Sequence, residues 1–151
     1  MKLNNMRNTL KKEIKENNIY IDTLSLPKCQ SCTVKVSNCY FIGLDRDITP
    51  PERKTALYHE LGHCFTDSFY NIGEPLNNRK IYEYRADKWS VENFCPYERY
   101  IEILKQGYNT NFKISEYLEI TVDFANKIIE YYDSRLKQSK EYKELMTCEI
   151  A

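Results

Sequence analysis

The only two histidines of this 151-residue chain stand four positions apart, with a glutamate directly after the first: His59-Glu60-Leu61-Gly62-His63. Residues four apart on an α-helix lie one turn apart on the same face, so two imidazoles in this register converge on one ion. The glutamate sits beside that position and can take a proton from an attacking water. Random placement of two histidines and the available glutamates gives His-Glu-x-x-His roughly once in 800 chains. The surrounding sequence supplies the helix. Thr49-Pro50-Pro51-Glu52 is a capping box, with Thr at the cap, Pro at the first helical position and Glu three residues after the cap. Ala56, Leu57, Leu61, Cys64 and Phe65 face inward, and the helix should stop before Gly73-Glu74-Pro75. Gly62 lets another element approach closely, at some cost in helix propensity.

Two histidines do not complete a catalytic zinc site, which needs a third protein ligand and an open position. No third histidine exists, so the third ligand must be a carboxylate. Asn77-Asn78 is expected to open a helix over about residues 79–94, stopped by Cys95-Pro96. On it Glu83 and Asp87 lie four apart on one face. Glu83 can be the third ligand, and Asp87 can accept the N–H of a liganding histidine and fix its tautomer. Taken alone, the pair reads as a solvated helix face; beside His-Glu-x-x-His the ligand reading is preferred. Asp67 and Glu74 compete, and Asp67, four residues after His63, could instead stand behind a ligand. Peptide hydrolysis also gains from a donor to the developing oxyanion. With both histidines used, Tyr82, Tyr84, Tyr58 and Arg85 are the nearby candidates, against a background of 13 tyrosines that mostly pack.

The rest of the chain frames this motif. Residues 4–17 read as an amphipathic helix with Met6, Leu10 and Ile14 on one stripe. Residues 19–24, 33–36 and 39–44 are β-like, the last two joined as a hairpin at Ser37-Asn38. Pro96 starts a helix closing near Gly107, and residues 114–118 and 121–136 read as helix, tight turn, helix. The charged tail from Lys137 is expected to fray. The fold expected is α+β: a small antiparallel sheet packed on a mostly helical core, with a C-terminal helical appendage. Residues 1–95 would form the core, 96–136 the appendage and 137–151 a flexible tail.

Balanced charge, 22 basic against 22 acidic side chains, excludes the strongly basic footprint of a dedicated nucleic-acid binder. The helix-turn-helix pattern near the C-terminus points the same way. Lys127 is its only basic residue between Glu116 and Asp133, so a packing or partner-docking unit is preferred over DNA binding. No apolar run is long enough to span a bilayer, and the first residues lack an apolar leader, so a cytoplasmic protein is expected. In that setting the six cysteines, including Cys29-Gln30-Ser31-Cys32 and Cys39, read as reduced thiols.

The stretch Thr55-Ala-Leu-Tyr-His-Glu-Leu-Gly-His-Cys-Phe, followed by Tyr82-Glu-Tyr-Arg-Ala-Asp-Lys-Trp-Ser, resembles the ImmA/IrrE-like metallopeptidases, with a gluzincin-like HExxH and Glu-x-x-x-Asp. The resemblance covers about residues 42–132 and implies a zincin-like core. It implies zinc held by His59, His63 and Glu83, with Glu60 as general base. These proteins occur in phages, integrative elements and bacterial chromosomes. Their family role implies an intracellular protein substrate, a helix-turn-helix repressor encoded nearby, whose cleavage relieves repression. The alternative is a metal-containing regulatory protein that binds its partner without cutting it.

Overall fold

The computed structural model of the protein describes residues 3–71 and 73–148, with side chains from residue 8 onward. The chain forms two compact units, Met1–Ile48 and Thr49–Ala151. The first unit holds α1 (Leu3–Glu16) and three strands, β1 (Ile19–Leu24), β2 (Ser31–Val36) and β3 (Cys39–Asp45). Leu10 and Ile14 of α1 are half-buried; Met6, expected on the same stripe, has its side chain outside the described residues. The expected hairpin forms, with β2 antiparallel to β3 and Ser37 at its turn in the left-handed region (φ 55°).

The sheet is not wholly antiparallel as expected. Its order is β1-β3-β2, and β1 runs parallel to β3, with Tyr20 opposite Phe41. The link over residues 25–30 explains this. It is long enough to step across one strand, about 4.8 Å per spacing, and β3 fills the slot between. The link is pinned to the end of β3: the Leu26 N–H donates to Asp45 Oδ1 at 2.9 Å. The Asp45 N–H donates to the Gln30 carbonyl at 2.8 Å. Ile19, Ile42 and Leu44 are buried. On the opposite face Tyr20 stacks on Phe41 at 5.3 Å between ring centroids.

The second unit is helical: α2 (Pro50–Thr66), α3 (Leu76–Phe94), α4 (Tyr97–Lys105), α5 (Asn111–Leu118), α6 (Val122–Leu136) and α7 (Lys140–Thr147). The capping box of α2 is present in both directions. Thr49 Oγ1 accepts the Glu52 N–H, and a Glu52 carboxylate oxygen accepts the Thr49 N–H at 2.7 Å. Helix α3 starts before the expected Asn77-Asn78. Pro75 is its cap, and the Pro75 carbonyl accepts the Asn78 and Arg79 N–H groups. A proline needs no N–H at this position, so the helix can begin one turn early.

Helices α3 to α7 share a core that includes Phe94, Tyr100, Ile103, Ile114, Phe124 and Ile128, each at most 4% exposed. Burying an aliphatic side chain of this size contributes about 1.5–3 kcal/mol. The tail expected to fray carries α7 instead. Tyr142 is 2% exposed and its hydroxyl lies 3.2 Å from that of Tyr100. The Asn109 amide donates to the Cys148 carbonyl at 2.6 Å. Tyr142, Leu145 and Met146 follow helical spacing among the charges, which gives α7 an apolar stripe. Residues 149–151 of that tail lie outside the described residues. All six cysteines are free; Cys64 and Cys95 are buried, and burial pushes the thiol of each up to about 12.

Candidate active site

Helices α2 and α3 pack at an unusually short distance, and one residue sets it. A Cβ built on Gly62 would meet the Ala86 carbonyl oxygen at 2.3 Å, far inside van der Waals contact. Only glycine fits there, as the sequence suggested. Ala86 is fully buried between Glu83 and Asp87 on the same stretch of α3. Ser90 secures the contact one turn on, donating to the Tyr58 carbonyl of α2 at 2.7 Å. Phe65 stacks on Trp89 at 4.8 Å. The close approach therefore delivers the carboxylates of α3 to the histidines of α2.

His59, His63 and Glu83 form the one cluster among the described residues whose donor atoms converge as metal ligands do. The two Nε2 atoms lie 3.1 Å apart. Glu83 places one oxygen 3.2 Å from His59 Nε2 and the other 3.4 Å from His63 Nε2. Zinc bonds of about 2.0–2.1 Å in a tetrahedron give ligand–ligand edges of about 3.3–3.4 Å. The observed edges fit that size. Asp67 and Glu74 are not part of the cluster. Asp67 is the exposed left-handed cap of α2 (φ 48°), and Glu74 lies in the loop before α3.

The backs of both rings are held. His63 Nδ1 is 2.6 Å from the Ser68 carbonyl, which can only accept, so Nδ1 carries the proton and donates. His59 Nδ1 is 3.1 Å from Asp87 Oδ1 and donates to it. In their neutral forms, the ones a metal requires, both rings then present Nε2 to each other and to the Glu83 carboxylate. Three electron-rich groups at this distance call for a cation among them. The electrostatics of His59 express the same demand. Burial works against its charged form, but hydrogen bonds to Asp87 and Glu83 win and raise its pKa to about 9. Hydrogen bonds from His59 and His63 hold the Glu83 carboxyl far below the usual range, against the effect of burial. Burial pushes Asp87 up, and the hydrogen bonds from His59 and Lys127 more than reverse it.

Glu60 is 7% exposed on α2, next in the chain to His59. The tyrosines divide. Tyr58 packs edge-on to Phe94 at 4.8 Å. Tyr84 is 58% exposed and hydrogen-bonds Arg135. Tyr82 stacks on Tyr70 at 6.4 Å, with the Arg85 guanidinium 5.9 Å from the Tyr82 ring centroid. The phenol close enough to feel the Glu83 charge is that of Tyr70, in the loop after α2, a residue not singled out from the sequence. Burial, then the Glu83 charge, raise its pKa, so its hydroxyl stays a donor. The loop has no periodicity to reveal this contact; closeness to the motif was the one available signal.

The chain belongs to the family of IrrE N-terminal-like domains, Peptidase_M78, whose family model matches residues 14–130. No curated protein and no solved structure gives a significant match. The family makes a protein substrate the expected one. No helix among the described residues is long and apolar enough to cross a membrane.

Proposed function

We propose that the protein is a zinc-dependent endopeptidase that cuts a specific cytoplasmic protein, a helix-turn-helix repressor of a phage or mobile element. The observation that carries the reading is the converging His59, His63 and Glu83 donor set, with both histidines fixed to present Nε2. His59, His63 and Glu83 would hold a zinc ion, which would supply Lewis acidity for peptide hydrolysis near neutral pH. Glu60 takes the proton of the attacking water and passes it to the leaving amine. Its near-complete burial keeps that carboxylate away from bulk water. Asp87 orients His59, and the Ser68 carbonyl orients His63. Tyr70, close to Glu83, is the candidate donor to the oxyanion; Tyr82 stacks behind it.

The test is Glu60→Gln. The variant should bind one zinc ion per chain as the wild type does and lose cleavage of the repressor encoded by the neighbouring gene. Cleavage that survives in Glu60→Gln sinks the proposed base. A wild type that holds zinc and binds the repressor without cutting it favours the regulatory binding protein instead.

A further inference from the structure

Behind the histidine and its aspartate stands a third residue from a distant part of the chain. Lys127 of α6 places its Nζ 2.9 Å from Asp87 Oδ1 and 2.9 Å from Asp87 Oδ2. Asp87 Oδ1 is the oxygen that accepts from His59 Nδ1. The chain of contacts thus runs from α6 through α3 to α2 and ends on a ring that presents Nε2 to the cluster. The Asp87 side chain is 27% exposed, so it has room to turn toward water. A cation gripping both oxygens removes that freedom and keeps Oδ1 toward His59 Nδ1. The neighbouring cation does not substitute for it, because Lys88 pairs with Glu92 at 4.0 Å.

We infer that Lys127 is a positioning residue for the metal centre, acting through Asp87, so that α6 is part of the metal site. The inference rests on the proposed zinc site. An exposed ion pair adds little to stability, typically under about 1 kcal/mol. The effect of Lys127 is therefore expected in metal affinity and ligand geometry rather than in the fold. The residue lines a cavity of about 210 Å³ with Tyr84, Glu130 and Arg135.

The experiment uses the full chain. Zinc affinity is measured by chelator competition for wild type, Lys127→Met, Lys127→Arg, Asp87→Asn and the double variant Lys127→Met/Asp87→Asn. Lys127→Met should bind zinc about tenfold more weakly, and Lys127→Arg should return to within about threefold of wild type. In the Asp87→Asn background, Lys127→Met should cause no further loss, because the two act in series. The visible spectrum of the cobalt-loaded protein should change in Lys127→Met. Its metal-free unfolding midpoint should match that of wild type. Equal zinc affinity in Lys127→Met and wild type overturns the inference, as does an affinity loss fully matched by metal-free destabilisation. A wild type that does not hold zinc overturns the underlying reading as well, which separates the two failures.

Discussion

At the residue scale, the site is defined by what stands behind each ligand. A carbonyl behind His63 and a carboxylate behind His59 both accept from Nδ1, so each ring, when neutral, presents a bare Nε2 inward. The Tyr70 hydroxyl adds a donor on the Glu83 side. Tyr70→Phe should lower kcat for repressor cleavage about 10- to 100-fold. Zinc affinity, checked by chelator competition, should stay within about threefold. Unchanged turnover would remove Tyr70 from the mechanism and reopen the question of the donor. The ligands themselves were legible in the sequence. His59 and His63 follow helical spacing, and Glu83 and Asp87 repeat that spacing on the next helix. Tyr70 and Lys127 were not. Tyr70 sits in a loop, where spacing says nothing of direction. Lys127 meets Asp87 across 40 positions, a distance no local pattern spans.

At the element scale, the pairing of α2 with α3 decides whether the ligands meet. Gly62 is the point of closest approach, and the obstacle a side chain would meet is backbone, which cannot rotate away. Gly62→Ala should cost about 1–3 kcal/mol of stability through overpacking. It should also push α3 outward and weaken zinc binding. Urea unfolding in chelator and metal titration check the two effects separately; a variant as stable and as tightly loaded as wild type would contradict the packing account. The start of α2 was readable from its capping box; its end was not, because Asp67 takes the left-handed conformation after Thr66, well before the Gly73-Glu74-Pro75 stop the sequence suggested. Helix α7 was missed because its charged residues masked Tyr142, Leu145 and Met146, whose spacing carries the helix. The parallel pairing of β1 was missed for a different reason. Strand direction depends on where a connection crosses, and residues 25–30 show no periodic sign of that.

At the scale of the whole molecule, the metal-free and metal-loaded proteins should respond to pH in opposite senses. His59 has a folded pKa raised from 6.5 to about 9. Its contribution to metal-free stability is complete below 6.5 and disappears as the pH rises through about 9. Zinc requires the neutral ring, so its stabilisation grows over the same window. Urea midpoints with chelator should therefore fall between about pH 6 and pH 9.5, while the gain on adding zinc increases. His59→Ala should abolish both trends; a metal-free midpoint that is flat in wild type would refute the linkage.

The mixed sheet of the first unit sets an order of events during folding. Strands β2 and β3 are joined by a two-residue turn, so they find each other at little loop-closure cost. Strand β1 is made first, yet its partner is β3, the last of the three to be synthesised. Until the hairpin has formed, the backbone groups of β1 have no strand to pair with, and Tyr20 has no Phe41 to stack on. Docking of β1 is thus the non-local, late step of this unit, and its speed depends on a surface that does not exist while β1 is being made.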